Sequence, residues 1–300
     1  MQTKIRRLKE ALQHGVTPAM ATPLLEDGYT VATAVIPTLL DFLIKRGARG
    51  LFAGGTTGEG IALSLAERKT LHAAVVDATD GRVPVLVHVG ALRLDKALEL
   101  ARHAEYIGAD AIAAVTPYFY GMDDASLAAY YEAIAAAAPD TPFILYDIPA
   151  LAVNGISPAL LRQLTALPSL AGFKSSRADA GQIANLLEAR PAHTIALAGN
   201  ETVALGLLAL GMDGLLSGLS TAVPEPFVAL TQAIAAGEQA EARRQQQIIR
   251  QILALSPAGR RIGWIKQILN ERGVLVGTAV PPRSTPTGPF WPEIEQLLVS

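Results

Sequence analysis

The sequence predicts an α/β protein built as a (β/α)8 barrel, the TIM-barrel architecture, with a C-terminal helical extension. Eight short apolar runs rich in β-forming residues recur along the chain, and segments with helical spacing separate them. Continuously apolar strands are typical of a parallel sheet covered by helices, and eight βα units close into a barrel of about 250 residues. The main alternative is an open doubly wound sheet, which normally carries a GxGxxG turn after its first strand. That turn is missing here.

The predicted strands are the apolar runs that Gly, Pro or Asp residues bound. They lie at 16–21, 49–54, 84–89, 111–115, 142–146, 170–174, 194–198 and 213–217.

Helices are predicted between these strands. The segment Leu65–Ala78 opens at Ser64 with Glu67 three residues on, which is a capping-box signature. A second helix, Asp95–Ile107, stops at Gly108, because glycine readily takes the left-handed conformation that ends helices.

The strand pattern stops after about residue 225, where helical periodicity continues over 226–255 and 259–272. A stretch rich in Pro, Gly and Thr then leads into a final short helix. This tail is too small for an independent core. We therefore expect a catalytic barrel over residues 1–225 and a helical extension over 226–300 that packs on it.

Composition excludes several classes of protein. The chain is 50% hydrophobic and 17% charged, with a net charge of −2, so it is not disordered and has no basic field for nucleic acid or an anionic membrane. It has no cysteine, which excludes disulfides, thiol catalysis and cysteine-ligated metals. The charged N-terminus lacks the apolar core of a signal peptide, and no long apolar run follows. We expect a soluble, cytoplasmic protein.

Lys174 is the sharpest candidate for chemistry. Active sites of such barrels lie at the carboxyl ends of the strands, and Lys174 is the one lysine of seven that closes an apolar predicted strand. Burial there disfavours the charged ammonium and leaves a neutral amine that attacks a carbonyl to give a Schiff base. The alternative is a lysine at the barrel rim that pairs with an acid or binds a phosphate.

Two further strand ends carry polar groups. Tyr146 closes the fifth strand, where its phenol would exchange a proton with a substrate held on the lysine; alternatively, it caps the core with its hydroxyl in solvent. The glycine-rich segment Gly54–Gly60 follows the second strand. Its backbone N–H groups and the hydroxyls of Thr56 and Thr57 suit a carboxylate or phosphate. The alternative is a tight βα connection that Glu59 braces.

The histidines do not indicate metal chemistry. His88 ends the third strand alone, where a histidine is more often a structural hydrogen-bonding residue, and the other four are scattered without HExxH spacing. Neither a metal nor a cofactor is expected.

Together, these residues resemble the dihydrodipicolinate synthase / N-acetylneuraminate lyase family of class I aldolases. GLFAGGTTGEGIALSLAE (Gly50–Glu67) matches the first family signature, and YDIP (Tyr146–Pro149) with GFK (Gly172–Lys174) is similar to the second. AGNE at 198–201 and PPR at 281–283 extend the resemblance over essentially the whole chain.

The resemblance implies a (β/α)8 barrel with a C-terminal helical extension, assembled as a homotetramer, a dimer of dimers. It implies that Lys174 forms a Schiff base with pyruvate and that Tyr146 shuttles protons. By position, it places the pyruvate carboxylate at Thr56 and Thr57, with Thr57 also in the proton relay. The remaining substrate-binding residues implied by position are Gly55, Ser176, Gly199, Glu201 and Ser217.

Three residues depart from the family pattern. Leu151 stands where the synthase branch has an arginine for the carboxylate of aspartate semialdehyde, which is typical of the lyase branch. Phe119 replaces a tyrosine, which leaves the relay through Thr57 to Tyr146 incomplete unless Tyr118 or Tyr120 takes its place. Thr202 follows Glu201 where the lyase branch has an acidic pair, which argues against contacts to a long sialic-acid tail.

The resulting hypothesis is a pyruvate-dependent lyase or aldolase that acts on a 2-keto-3-deoxy sugar acid or an N-acetylneuraminate-like compound. The alternative is 4-hydroxy-tetrahydrodipicolinate synthase, which condenses pyruvate with aspartate semialdehyde, with Arg177 or Arg283 replacing the missing arginine. A second alternative, motivated by Phe119, is a family member that binds a keto acid without turnover.

Overall fold

Eight parallel strands form a closed barrel in the computed structural model, which describes residues 1–299. Each strand pairs with the next one along the chain, β8 pairs with β1, and a parallel bridge between Ala19 and Phe52 closes the ring between β1 and β2. The strands are β1 Val16–Pro18, β2 Leu51–Ala53, β3 Val85–His88, β4 Ala111–Val115, β5 Phe143–Asp147, β6 Leu170–Ser175, β7 Ile195–Ala198 and β8 Gly214–Ser217. The predicted TIM barrel is confirmed.

Helices cover the outside of the barrel. They are α1 Gln2–Leu12, α2 Ile36–Lys45, α3 Leu65–Thr79, α4 Leu94–Tyr106, α5 Asp124–Ala137, α6 Pro149–Ala152, α7 Pro158–Leu164, α8 Ala180–Ala189, α9 Ala204–Leu210, α10 Glu225–Ala236, α11 Gln239–Ala254, α12 Arg261–Glu271 and α13 Trp291–Val299. The Ser64 hydroxyl accepts a hydrogen bond from the Glu67 N–H, so the predicted cap of α3 is formed. Gly108 follows α4 with a φ of 75°, as predicted. None of the helices within 1–299 is both long and apolar enough to cross a membrane.

Residues 226–255, for which the sequence predicts helical structure, form two helices, α10 and α11. Gly237 has a φ of 75° and separates α10 from α11, because glycine takes this left-handed conformation without a steric penalty. By position, α10 is the helix of the eighth βα unit. The expected division at residue 225 therefore falls at the first residue of a barrel helix, and α11 to α13 form the added layer.

The barrel interior is apolar at one end and open at the other. Side chains of successive strand residues alternate between the interior and the helices, so Leu145 packs outward and Tyr146 inward. Ile5, Leu8 and Leu12 of α1 join the interior cluster, and Leu12 lies against Gly50, which precedes β2. Helix α1 therefore closes the amino-terminal end of the barrel, and the carboxyl end stays available for a site.

A β-bulge in β6 sets the direction in which Lys174 points. Phe143 pairs with Leu170 but Ile144 pairs with Gly172, so Ala171 is the extra residue. Gly172 has a φ of 145°, and a Cβ built there would lie 1.8 Å from the carbonyl oxygen of Ile195, so glycine is required. Because a shift of one residue moves side chains to the other face of a sheet, this bulge helps to direct Lys174 into the barrel.

Candidate active site

A cavity of about 610 Å³ opens at the carboxyl end of the barrel. Seven of the predicted site residues line it, namely Thr56, Thr57, Tyr146, Lys174, Ser176, Gly199 and Glu201. The two other predicted residues, Gly55 and Ser217, are buried and do not line this cavity. The carboxyl ends of the strands therefore bring most of the predicted residues together.

Lys174 is 5% exposed, and its amine faces the cavity. Nζ donates a hydrogen bond to the Ser176 hydroxyl at 2.5 Å and lies 4.1 Å from the ring centroid of Tyr146. No carboxylate among residues 1–299 forms an ion pair with it. The alternative of a lysine neutralised by an acid does not fit this geometry.

Gly199 provides the space that the Lys174 side chain occupies. A Cβ built on Gly199 would lie 2.1 Å from Cε of Lys174 and 2.6 Å from its Nζ. Since real Cβ atoms do not approach other atoms so closely, any larger residue here would displace the lysine. The sequence pattern predicts Gly199 as a substrate contact, whereas the structure also shows it against the amine.

The Tyr146 phenol lies within 2.8 Å of the Thr56 hydroxyl. The link expected through Thr57 is not formed in this geometry, because the Thr57 hydroxyl lies against Gly218. Phe52 and His88 pack against the Tyr146 ring edge to face, with centroids 6.0 Å and 5.8 Å away. These contacts fix the phenol beside the lysine, in the interior rather than in solvent.

Phe119, one of the three residues that depart from the family pattern, lies outside the cavity. It has a φ of 79°, is 75% exposed and packs edge to face on Tyr120. Neither Tyr118 nor Tyr120 lines the cavity of this chain. Among residues 1–299, the Thr56 hydroxyl is the hydrogen-bond partner of the Tyr146 hydroxyl.

His88 is a buried hydrogen-bonding residue, as its isolated position predicts. Its ring nitrogens lie 3.3 Å from the Val115 nitrogen and 3.2 Å from Nη2 of Arg68. Burial, and secondarily the Arg68 charge, lower the pKa of His88 well below its usual value. Burial also lowers the pKa of Arg68 to about 10.

Asp147 at the end of β5 is fully buried and engages Arg177. It accepts hydrogen bonds from Arg177 Nε at 2.7 Å and Nη2 at 3.0 Å, from the Ser175 hydroxyl, and from the Ile156 N–H. These bonds anchor the segment that carries Leu151, which is 64% exposed and lines the cavity. Sequence reasoning did not assign Asp147 a role.

Glu59 braces the glycine-rich segment, as one of the two interpretations of that segment holds. It is buried, its Oε2 lies 3.0 Å from Nζ of Lys266, and its Oε1 accepts a hydrogen bond from the Val280 N–H. Burial lowers the pKa of Lys266, and the Glu59 carboxylate opposes that shift. Arg283 also faces Glu59, at 3.7 Å. The C-terminal extension thus holds the segment that carries Thr56.

Glu201 forms an ion pair with Arg261, which the sequence analysis missed. The other carboxylate oxygen of Glu201 accepts hydrogen bonds from the Ser217 hydroxyl and the Leu219 N–H, both at 2.8 Å. The Ser217 hydroxyl thereby supports Glu201, so the expected substrate contact at Ser217 is not formed in this geometry. Two adjacent arginines at the start of α12 were visible in the sequence, but no local pattern indicates that α12 reaches the barrel mouth.

The part of the chain described, residues 1–299, contains no group of three or more His, Cys, Asp or Glu side chains that could hold a metal ion. The polar groups that meet in the cavity are an amine, a phenol, hydroxyls and an arginine–glutamate pair. A (β/α)8 barrel whose buried lysine lies beside a phenol, without a carboxylate partner among residues 1–299, belongs to a class of site in which the lysine amine attacks a carbonyl.

The comparisons with known proteins identify the family. The model of the dihydrodipicolinate synthetase family matches residues 12–297, and the chain belongs to this family. It is 31% identical over 271 residues to N-acetylneuraminate lyase of Mediterraneibacter gnavus, covering 89% of this chain and 86% of that protein. It is 37% identical over 225 residues to 4-hydroxy-tetrahydrodipicolinate synthase of Salinibacter ruber, covering 75% and 74%.

A solved structure agrees with this assignment. A catalytic-lysine mutant of Ruminococcus gnavus sialic acid aldolase superposes with a TM-score of 0.92 at 29% identity, covering 97% of this chain and 96% of that one. The chain is therefore an enzyme of the class I lyase type, an aldolase of this family.

Proposed function

We propose that the enzyme makes or breaks a carbon–carbon bond at C3 of pyruvate through a Schiff base on Lys174, and that it acts on a 2-keto-3-deoxy sugar acid or an N-acetylneuraminate-like compound. The observation that carries the proposal is the buried Lys174 amine, which has a hydroxyl partner but no carboxylate and lies 4.1 Å from the Tyr146 ring centroid. The catalytic lysine named for the sialic acid aldolase supports it.

The chemistry begins at the amine. Nζ of Lys174 attacks the C2 carbonyl of the keto acid and forms a C–N bond, and the carbonyl oxygen becomes a hydroxyl by taking one amine proton. The Tyr146 phenol then donates its proton to this hydroxyl, which leaves as water, so that a protonated imine and a phenolate remain. In the cleavage direction, the phenolate takes the proton of the C4 hydroxyl, the C3–C4 bond breaks and the aldehyde leaves, while the bonding electrons convert the protonated imine into an enamine. The phenol donates its proton to C3 and restores the protonated imine. Water hydrolyses this imine to pyruvate and the free amine, and the proton that is released converts the phenolate back to the phenol.

Hydroxyls around the lysine would hold the pyruvate half. Thr56 and Thr57 line the cavity and lie in the glycine-rich segment that follows β2. Donors of this kind suit a carboxylate. In this proposal the hydrogen bond between the Thr56 and Tyr146 hydroxyls also keeps the phenol in position for proton transfer.

The charges near the cavity support a substrate with a neutral tail. Arg177 is paired with Asp147, Arg261 with Glu201, and Arg283 with Glu59. Leu151 occupies the position at which the synthase branch has an arginine. With each of these arginines already paired to a carboxylate, a second substrate carboxylate has no dedicated partner, whereas hydroxyl groups find donors and acceptors.

The second candidate is 4-hydroxy-tetrahydrodipicolinate synthase, which the 37% identity to the Salinibacter ruber protein favours. It requires Arg177 or Arg283 to bind aspartate semialdehyde, but Arg177 is hydrogen-bonded to the buried Asp147 carboxylate, and Arg283 faces Glu59 and does not line the cavity. Complementation of a lysine auxotroph separates the candidates, because a sugar-acid aldolase does not restore growth.

The homotetramer and the cytoplasmic location remain predictions from the sequence.

The test combines trapping with turnover. Borohydride reduction in the presence of pyruvate is expected to attach a pyruvyl group to Lys174, detectable by mass spectrometry, and Lys174→Ala should abolish it. A panel of 2-keto-3-deoxy acids is then assayed for pyruvate release with lactate dehydrogenase. Absence of the adduct, or turnover retained in Lys174→Ala, would overturn the proposal. An adduct without turnover of any panel member would support the non-catalytic alternative.

A further inference from the structure

Arg261 places a guanidinium group at the mouth of the cavity, and most of its N–H groups have no hydrogen-bond partner among residues 1–299. It starts α12, and its side chain lines the cavity with 47% of its surface exposed. A guanidinium has five N–H donors. Among residues 1–299, Glu201 is the hydrogen-bond partner of this side chain, through Nη2. The other donors are left for a ligand.

Glu201 holds Arg261 in place and has little capacity to bind a ligand itself. Its Oε1 accepts from the Ser217 hydroxyl and the Leu219 N–H, while Oε2 faces Arg261. The Gln246 amide also donates to the Glu201 carbonyl, at 3.0 Å. A carboxylate occupied in this way fixes the guanidinium, so a contact with substrate at this wall would be made by Arg261.

The chemistry at this wall indicates which ligand group fits. The Arg261–Glu201 pair has no net charge, and the exposed Asp179 carboxylate lines the same opening. A second anion would meet these carboxylates, whereas a hydroxyl accepts a hydrogen bond from the guanidinium without repulsion.

We propose that Arg261 determines specificity by donating hydrogen bonds to the hydroxyl groups on the tail of the substrate, the part that becomes the aldehyde. This inference rests on the proposed function, because it assigns the residue that recognises the substrate half remote from Lys174. Arg261 takes no part in forming the Schiff base. Its removal changes which aldehyde is preferred and leaves the pyruvate adduct unchanged.

The experiment measures aldol condensation of pyruvate with two aldehydes of equal length, glyceraldehyde and propionaldehyde. The native enzyme is expected to prefer glyceraldehyde in kcat/KM, and Arg261→Met should lose about tenfold or more of that preference. Arg260→Met is the matched control, because Arg260 is exposed, adjacent in sequence and absent from the cavity lining. It should keep the native preference. Pyruvate trapping on Lys174 should match the native enzyme in both variants.

Each outcome decides the question. An equal loss for both aldehydes, or an unchanged preference in Arg261→Met, overturns the assignment of Arg261. Absence of the pyruvate adduct in the native enzyme overturns the proposed function instead. If neither aldehyde condenses, calorimetry in a Lys174→Ala background compares a hydroxylated 2-keto-3-deoxy acid with the unhydroxylated 2-keto acid of equal length. A preference for the hydroxylated acid that Arg261→Met removes supports the assignment, and one that it leaves unchanged, or no preference, overturns it.

Discussion

At Lys174, burial and a single hydroxyl partner act on the same amine. The side chain lies at the end of an apolar strand, and Ser176 orients Nζ without neutralising it as a carboxylate would. The Tyr146 phenol is positioned from the neighbouring strand, β5, since Tyr146 and Lys174 are direct partners in the β5–β6 pairing. The two groups that the proposed reaction needs therefore have their separation set by a parallel ladder.

Tyr146→Phe should lower kcat at least about 10²-fold, because it removes the positioned acid–base group while it keeps the ring. The pyruvate adduct should still form, since Lys174 and Ser176 keep their contacts. The measurement pairs kcat on the substrate found in the keto-acid screen with borohydride trapping. Tyr120→Phe is the control, because that side chain is exposed and outside the cavity. If Tyr146→Phe leaves kcat unchanged while Tyr120→Phe lowers it strongly, the assignment of proton transfer to Tyr146 is wrong.

Gly199→Ala should suppress the pyruvate adduct, because the new methyl group would occupy the position of Cε of Lys174. The methyl group fits only if the end of the lysine side chain moves, which takes Nζ away from the Ser176 hydroxyl. The measurement is the fraction of chain trapped with pyruvate by borohydride, read by mass spectrometry. Gly206→Ala is the matched control, because nothing lies within 4 Å of a Cβ built there. Equal trapping in the two variants would show that the lysine tolerates the methyl group.

The sequence supported the prediction of Lys174 and Tyr146 because both close apolar strands, and strand ends of a parallel barrel meet at one face. It did not distinguish Thr56 from Thr57, because the direction of each hydroxyl depends on the backbone dihedrals of an irregular loop. The sequence also did not show that the Ser217 hydroxyl donates a hydrogen bond to the Glu201 carboxylate. That contact depends on side-chain geometry, which spacing in the sequence does not encode.

At the scale of elements, the C-terminal extension is part of the site. Helix α12 contributes Arg261 to the cavity mouth and Lys266 to the buried carboxylate of Glu59. The strands and the two assigned helices were predictable because their apolar pattern is local and bounded by Gly, Pro or Asp. The break between α10 and α11 was not predictable from the sequence, because Gly237 lies between two segments of similar periodicity. The docking of α12 on the barrel was not predictable either, because it depends on contacts between residues distant in sequence.

Lys266→Met should destabilise the protein by about 3–5 kcal/mol, because it leaves the Glu59 carboxylate buried without its ammonium partner. The double variant Lys266→Met/Glu59→Gln should recover part of this loss, since it also removes the buried charge. Urea unfolding at fixed protein concentration gives both values. Lys45→Met is the control, because the Lys45–Asp41 pair is exposed and should change stability by less than about 1 kcal/mol. Native stability of Lys266→Met would contradict a role for this pair.

At the scale of the whole molecule, two buried histidines are expected to make folding sensitive to mild acid. Burial lowers the pKa of His72 and of His88 well below the usual value, and the Arg68 charge adds to both shifts. Neither ring nitrogen of His72 has a hydrogen-bond partner. Both side chains are therefore neutral in the folded protein at pH values at which the unfolded chain, with a histidine pKa of about 6.5, takes up protons.

Stability should therefore fall as the pH is lowered below about 6.5, because the unfolded state then binds more protons than the folded state. For His72 the slope approaches about 1.4 kcal/mol per pH unit below this value, and the contribution is absent above it. Burial is the largest cause of the lowered pKa of His72, and the charged forms of Arg68, His88 and His103 lower it further. The carboxylates whose pKa is lowered, such as Asp41, lose their contribution below about pH 4, outside this range.

The measurement is urea unfolding between about pH 7.5 and about pH 5.5 at fixed protein concentration. His72→Leu should reduce the slope of the unfolding free energy against pH by the contribution of about one proton, because it removes a group that is neutral when folded and charged when unfolded. His193→Gln is the control, because His193 is exposed, and it should leave the slope as it is. If His72→Leu keeps the native slope, or if stability is flat across this range, His72 is not the group that links folding to pH.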